Sequence, residues 1–396
     1  MKVFALTTWC PYPTVNGSTL RFYHLLRALA TRHEIDLVTF AAPSAPDAAA
    51  VAHLRSFCRD VTVVPRSPFT PLRRGGAGLL QATPRSLVDT DDPEVRALVA
   101  ERAPRADLAI GFALHAARYL EAVSGRPCVF EEAEPQQIAG QVAQADGTIR
   151  RWRRQLTWRK HARYLQRLAT HMAAVTVVSA HERDTLAAIG VPAAKVHVVP
   201  NGADGADLVR PRAVADPPRL VYSGAITYAP NLEAVVWCLN QVMPRVRAVR
   251  PDVRLWVTGD TGDLPLDRLP HRDCVHFTGR LPDVRAAVGD AAAVVVPLLT
   301  GGGTRLKVLE ALALGTPVVS TAKGVEGLDV ADGVHALVAD DPATFAAHVL
   351  RVVDDAALAT RLSTAGRSLV AGTYTWDAIG ARLLAVVERA AEDPAP

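Results

Sequence analysis

Lysine is nearly missing from this chain of 396 residues: Lys2, Lys160, Lys195, Lys307 and Lys323 are five of its 44 basic residues. Cysteine is sparse as well. Cys10, Cys58, Cys128, Cys238 and Cys274 are odd in number and far apart, with no Cys-x-x-Cys pair. Nothing in that spacing suggests a disulfide framework or a zinc ribbon, so the thiols read as buried or idle. No apolar run approaches the roughly 20 residues of a membrane-spanning helix. The nearest, Ala291 to Leu299, is broken by Pro297. Met1 to Leu6 is too short for the apolar region of a signal peptide, and Pro11 and Pro13 follow closely. These absences predict a cytoplasmic protein. Gly-x-x-x-x-Gly-Lys-Ser/Thr is also lacking, as is Gly-x-Gly-x-x-Gly after the first strand, which argues against P-loop and nicotinamide-binding readings.

What is present is globular: 49% of residues are apolar and 21% charged. The length fits two domains of roughly 150–200 residues. Abundant Ala, Val and Arg fit a GC-rich bacterial genome. The net charge of +4 conceals an asymmetry, with +8 on residues 1–200 and −4 on the remainder. A basic half is compatible with nucleic acid, a membrane surface, an anionic substrate or merely solvated arginines. No aromatic-basic module of the RNA-binding kind occurs, so no nucleic-acid partner is expected.

Strands are predicted at Lys2–Leu6, Ile35–Phe40, 61–64, Leu108–Gly111, Cys128–Phe130, Val175–Ser179 and Val196–Val199, with helical stretches between most of them. The first helix runs from Ser18, a plausible N-cap, to about Arg32, with Phe22, Leu25, Leu26 and Leu29 at helical spacing. Pro200-Asn201-Gly202 marks the best boundary, and the pattern then restarts. Strands follow at Leu220–Ser223, Arg254–Thr258, Val275–Phe277, Ala293–Pro297 and Pro317–Ser320, with helices from about Asn231, near Val284 and over Thr304–Leu314. Alternation of this kind predicts an α/β chain of two doubly wound parallel-sheet domains. Their expected bounds are 1–200 and 201–372. A C-terminal helix within 373–396 is expected to pack back on the first domain.

The richest segment is Thr300-Gly301-Gly302-Gly303-Thr304-Arg305-Leu306-Lys307-Val308-Leu309-Glu310, between a buried strand and a helix. Three glycines permit close backbone approach, and the N–H groups and dipole of a helix N-terminus favour an anion such as a diphosphate. Arg305 falls in the first turn, where a cation is unfavourable unless an anion offsets it. Lys307 and Glu310 share a face; one can neutralise phosphate and the other can accept two hydrogen bonds from a ribose. A tight strand–helix turn carrying a surface Lys–Glu pair fits the same residues. The concentration of scarce lysine near this segment favours the ligand site.

With these motifs the chain resembles glycosyltransferase family 4, of the GT-B fold. The likeness includes Pro11-Tyr12-Pro13 to Gly17 with Arg21 and His24-Leu25-Leu26, then Val177-Val178-Ser179, Val198-Val199-Pro200-Asn201-Gly202, and Tyr222-Ser223-Gly224 with Pro230-Asn231. It continues with Thr278-Gly279-Arg280, Asp283-Val284-Arg285, Gly324-Val325-Glu326-Gly327 and Tyr374-Thr375-Trp376. It implies two Rossmann-like domains facing a central cleft, and a retaining hexosyltransferase. The donor would be a nucleotide-diphosphate sugar, UDP favoured over GDP, with no cofactor and no metal. Glu310 would hold the donor ribose, while Lys307 and the backbone of Gly303, Thr304 and Arg305 would face the diphosphate; at Gly302, loop N–H groups would serve the donor sugar's hydroxyls. Gly224 lies on the same wall, Gly17 and Ser18 would approach from the opposite one, and Arg280 and Leu281 would flank the base. Three departures stand out: Gly302 replaces the family's first glutamate, Gly224-Ala225 its Gly-Arg, and Ala133 an expected histidine.

The catalytic residues implied are Lys307 with His115 and Glu132. His115 follows the fourth strand at the sheet edge where ligands bind, and Glu132 and Glu134 follow the fifth, where they could orient the acceptor hydroxyl. An ordinary helix-start histidine and a solvated acidic turn remain open for these positions. Asp89-Thr90-Asp91 reads as a solvated loop rather than a metal site. Residues 149–169, rich in arginine with interleaved aromatic and aliphatic residues, suit an anionic membrane or an anionic acceptor; snorkelling arginines on a domain helix are the alternative. The expected partners are thus the nucleotide-sugar donor and a glycan, lipid-linked or secondary-metabolite acceptor, with peripheral contact at the inner membrane face as the membrane version. A nonenzymatic nucleotide-sugar-binding protein of the same fold, and a nucleotide-sugar epimerase, are the rival functions.

Overall fold

The structure, a computed structural model, describes residues 1–42, 44–71, 82–135, 139, 147–204, 214–302 and 305–392. It divides into two compact units, Met1–Asn201 with Trp376–Pro396, and Gly202–Thr375.

The first unit holds β1 (Lys2–Thr7), β2 (Glu34–Phe40), β3 (Asp60–Val64), β4 (Leu108–Phe112), β5 (Cys128–Glu131), β6 (Ala174–Val177) and β7 (Val196–Val198). All pair in parallel in the order β3-β2-β1-β4-β5-β6-β7. Central strands are buried along their length; every residue of β4 and β5 is buried. That burial on both faces explains why they read as unbroken apolar runs rather than as alternation. Strand order reverses between β1 and β4, and the loops leaving that point are where a ligand can sit against strand ends.

The first helix is Gly17–Ala30, and its cap is Asn16 rather than Ser18. Asn16 Oδ1 accepts from Thr19 N at 3.0 Å, and Thr19 Oγ1 accepts from Asn16 N at 3.0 Å. This reciprocal box satisfies two otherwise orphaned donors. Phe22, Leu25, Leu26 and Leu29 are fully buried, each worth about 1.5–3 kcal/mol of apolar burial. A second helix, Trp376–Glu392, packs on this one. Gly380 permits the approach, since a Cβ there would stand 2.4 Å from the Cβ of Ala28. Trp376 stacks on His24 with ring centroids 4.6 Å apart.

The second unit holds β8 (Arg219–Ser223), β9 (Arg254–Thr258), β10 (Val275–Gly279), β11 (Ala293–Val296), β12 (Val318–Ser320) and β13 (Leu337–Val338), parallel in the order β10-β9-β8-β11-β12-β13. Its reversal lies between β8 and β11. The helix expected from Thr304 starts at Leu306, and the two-residue β13 is too short to leave a periodic signal. β6 stops at Val177, because Ser179 turns to cap the next helix, accepting from Glu182 N at 3.3 Å. All five cysteines are buried and unpaired.

Candidate active site

The loops leaving β8 and β11 bracket the reversal point of the second sheet. Into that space the Leu306–Leu314 helix brings Lys307, half-buried. Its ammonium lies 2.9 Å from Tyr222 Oη, 3.2 Å from Asn231 Oδ1 and 4.1 Å from the Tyr222 ring centroid. Desolvation, helped by Arg305, lowers its pKa to about 7 against the pull of Glu310. One turn on, Glu310 is raised to about 7 by desolvation; Lys307 draws it down and Asp204 pushes it up. Among the described residues its carboxylate has no hydrogen-bond partner. The side chains of Lys307 and Glu310 are both half-buried rather than fully solvated. Ionisable groups shifted by burial beside a partner of opposite charge are enriched at functional sites.

Gly224 ends β8 with φ +146, and a Cβ there would fall 2.8 Å from Lys307 Nζ and 3.0 Å from Asn231 Nδ2. Only a glycine leaves the backbone this close to the ammonium.

Arg305 corrects the sequence reading. It precedes the helix rather than lying in its first turn, and its buried guanidinium is turned away from solvent. It donates to the carbonyls of Gly302, Gly301 (2.9 Å) and Lys323 (3.3 Å), and lies 3.9 Å from Glu326, which also pairs with Lys323 at 2.6 Å. The offset for this cation is thus internal, and its side chain pins the carbonyl side of the glycine loop. Gly303 and Thr304 lie outside the described residues. Gly302 is half-buried in the same loop. Arg280 and Leu281 follow β10; Arg280 is exposed and, among the described residues, has no hydrogen-bond partner. Gly259 N donates to Gly279 O at 2.9 Å, which ties the ends of β9 and β10 together.

In the first unit, Gly17 and Ser18 begin the helix after β1 and His115 lies in the short helix Leu114–Ala117 after β4, so all three flank that sheet's reversal point. His115 packs edge-on against Phe69 at 4.8 Å, and desolvation, with Arg118 and His161, lowers its pKa to about 4. Its imidazole is therefore held neutral near pH 7, which suits hydrogen bonding and makes it a weak base.

Glu132 does not sit in a solvated turn. It is buried, adopts φ +62, and its N–H donates to Thr176 Oγ1 at 3.1 Å. Its carboxylate lies 3.6 Å from Arg21 Nε. Arg21 is fully buried and donates to Glu131 Oε1 (2.9 Å from Nε), Val199 O (2.8 Å), Pro200 O (2.9 Å) and Asn201 Oδ1 (3.0 Å). One guanidinium faces two buried carboxylates, and burial holds Glu132 well above the ordinary carboxylate range despite the arginine. The sequence contained Arg21 and Glu131 but no local sign that they meet, being 110 residues apart. Asp89 and Asp91 pair with different arginines, Arg85 at 2.9 Å and Arg96 at 2.7 Å.

The basic stretch lies on one helix, Thr148–His171, whose two halves differ. His161, Tyr164, Leu165 and Leu168 are buried, and Arg167 pairs with Glu121 at 3.3 Å. In the first half Ile149, Trp152 and Leu156 are 79%, 64% and 45% exposed, alongside exposed Arg150, Arg151, Arg153 and Arg159.

Residues 15–206 match the family described as Glycosyltransferase Family 4, and residues 217–355 that described as Glycosyl transferases group 1. The chain is 29% identical over 254 residues to the MMP alpha-(1->4)-mannosyltransferase of Mycolicibacterium hassiacum, covering 60% of each chain. It is 29% identical over 217 residues to a glycogen synthase of Mycobacterium tuberculosis, covering 51% of each. With an uncharacterized 44.6 kDa protein of a Klebsiella pneumoniae cps region, 27% identity extends over 33% of this chain and 36% of that one. The chain thus spans between about a third and three-fifths of these curated relatives. Solved structures align over nearly the whole chain. Anabaena Alr3699/HepE, in complex with UDP and glucose, gives a TM-score of 0.68 at 15% identity, with 98% of this chain and 100% of that one covered. Sucrose-phosphate synthase of Thermosynechococcus elongatus gives 0.70 at 19%, covering 98% and 99%. Sequence matches over both units and this shared architecture agree, and the chain belongs to the family 4, group 1 glycosyltransferases of the GT-B fold.

Proposed function

We propose that this protein transfers a hexose or N-acetylhexosamine from a nucleotide-diphosphate sugar to a hydroxyl acceptor, with retention at the anomeric carbon. The observation that carries this reading is the half-buried Lys307 beside Glu310, at the reversal point of the second sheet and just after a glycine loop. Lys307 and the loop N–H groups would receive the diphosphate, and Glu310 the ribose hydroxyls. UDP is favoured as the nucleotide, in keeping with the UDP bound to the HepE relative.

In the reaction the acceptor oxygen bonds to the anomeric carbon on the face the nucleotide leaves. The bond to the diphosphate oxygen breaks with its electron pair on the leaving group, and the acceptor proton passes to a donor phosphate oxygen. Charge grows on the diphosphate during this step, so a preplaced ammonium stabilises the transition state more than the ground state. His115 and Glu132 would orient the acceptor hydroxyl. Phosphate neutralisation is assigned to Lys307, and no metal is invoked. The acceptor is a glycan, a lipid-linked sugar or a secondary metabolite. The exposed half of the Thr148–His171 helix would hold the protein at the cytoplasmic face of an anionic membrane.

The test is incubation with a panel of UDP- and GDP-sugars, with and without sugar acceptors, in excess EDTA, with anomeric configuration read by NMR. Transfer with retention supports the reading. Inverted product, donor binding without transfer, or activity lost to EDTA and restored by Mg²⁺ or Mn²⁺ would each replace the corresponding part of it.

A further inference from the structure

Lys307 is not simply a cation on a helix; each of its protein contacts is an acceptor with its own fixed partner. Asn231, in the first turn of the Ala229–Trp237 helix, donates from Nδ2 to Ala225 O at 2.8 Å. That bond fixes the amide so that Oδ1 faces inward. Tyr222, on β8, donates its hydroxyl proton to Asn231 Oδ1 at 2.7 Å. Burial pushes the Tyr222 hydroxyl up, so it keeps that proton and presents only a lone pair to Lys307. An ammonium has three N–H donors. Two are committed to Tyr222 Oη and Asn231 Oδ1, and among the described residues the third has no acceptor.

We propose that Asn231, with Tyr222, is a positioning residue for the donor phosphate, orienting the Lys307 ammonium and coupling it to the backbone at Ala225. The inference rests on the reading of Lys307 as the phosphate ligand. The amide links three elements of the site: the helix after the glycine loop, the end of β8, and the Ala229–Trp237 helix. Gly224 completes the enclosure, because any side chain there would collide with both Lys307 and Asn231.

The arrangement acts on protonation as well as on direction. Acceptors on two N–H groups favour the charged amine and work against the desolvation that draws Lys307 down to about 7. The other groups bearing on this balance are Arg305 and Glu310, with Asp204 facing Glu310. Removing an acceptor therefore moves the loss of the ammonium to lower pH.

Calorimetric titration with UDP from pH 6 to 9 tests the proposal on the wild type and on Asn231→Ala, Tyr222→Phe, Asn231→Asp and Lys307→Met. Loss of the ammonium and ionisation of Glu310 act in opposite directions above about pH 7. Relative to Lys307→Met, which retains only the Glu310 contribution, wild-type affinity should therefore fall as pH rises through that range. In Asn231→Ala and Tyr222→Phe this falling limb should move down by about one pH unit, with about tenfold weaker binding at pH 8 and a smaller deficit at pH 6. Asn231→Asp, which keeps an oxygen acceptor and adds negative charge, should move it upward. Tyr222→Phe keeps the ring packing and serves if the alanine variant does not fold. Limbs that coincide with the wild type in these variants overturn the inference. A Lys307→Met protein that binds UDP as the wild type does overturns the underlying phosphate assignment instead.

Discussion

Arg21 and Glu131 meet in the first unit with both side chains wholly inaccessible to solvent, Nε standing 2.9 Å from Oε1. Such a pair is weak evidence for stability as a whole, but removing one partner strands the other charge. Arg21→Met should therefore cost about 3–5 kcal/mol in urea denaturation. A loss below about 1 kcal/mol would mean that Glu131 and Glu132 take up protons without strain.

Glu310→Ala should weaken UDP binding about 10–100-fold, because a hydrogen bond from a ribose hydroxyl to a charged carboxylate is worth roughly 1.5–3 kcal/mol. Calorimetry near pH 8, where the carboxyl raised to about 7 is ionised, is the suitable condition. Undiminished affinity would dismiss Glu310 as the ribose ligand.

Gly224→Ala places a methyl within 2.8 Å of Lys307 Nζ and forces φ +146 on a residue with a Cβ. Backbone strain of about 1–3 kcal/mol is expected, together with at least a tenfold loss of UDP affinity from the displaced ammonium. Unchanged nucleotide binding in a folded variant would show that the ammonium tolerates displacement.

His115 and His161 give the first unit an acid sensitivity of known sign. Desolvation lowers both to about 4, below the ordinary value near 6.5. Between those values the unfolded chain binds more protons than the native one, so stability falls with pH. The contribution is complete above about 6.5 and is lost as pH drops through about 4. Denaturation midpoints of His161→Phe should depend less steeply on pH between 6.5 and 4 than those of the wild type. Parallel profiles would assign the acid sensitivity elsewhere.

The exposed half of the Thr148–His171 helix predicts binding to anionic vesicles at low salt. Each basic residue near such a surface contributes about 1 kcal/mol, so Arg150, Arg151, Arg153 and Arg159 reversed to glutamate should abolish sedimentation with vesicles. Binding should also fade at 1 M salt, where the Debye length is about 3 Å. Trp152→Ala separates insertion from charge alone: it should weaken binding at both salt levels. Absence of sedimentation at low salt leaves the arginines as solvated surface.

Parallel strands buried on both faces announce themselves as apolar runs, which is why β1, β2, β4 and β9 stand within a residue or two of their expected limits. Local signals failed where two caps competed. Asn16-x-x-Thr19 outranks Ser18 because threonine answers the asparagine reciprocally, a box normally closed by glutamate or glutamine. At Arg305 charge alone suggested an anion ligand, whereas the carbonyls that hold it become visible only once the glycine loop is folded. Lysine scarcity drew attention to Lys307, but Asn231 and Tyr222 lie 76 and 85 residues away and carry no mark of their contact with it. Glu131 was hidden for the same reason, as nothing near it in sequence distinguishes a buried acid from an exposed one.

The Trp376–Glu392 helix, seated on the first helix of the chain, imposes an order on synthesis. A nascent polypeptide emerging at about 5–20 residues per second exposes the whole of the second unit before its last helix appears. The first unit is thus completed only after the second has emerged, and for that interval the face of the Gly17–Ala30 helix at His24 and Ala28 lacks its cover. A fragment cut after Asn201 would carry that uncovered face permanently, so the first unit alone is a poor candidate for separate expression. Joining Trp376–Glu392 to it through a short linker restores the missing layer.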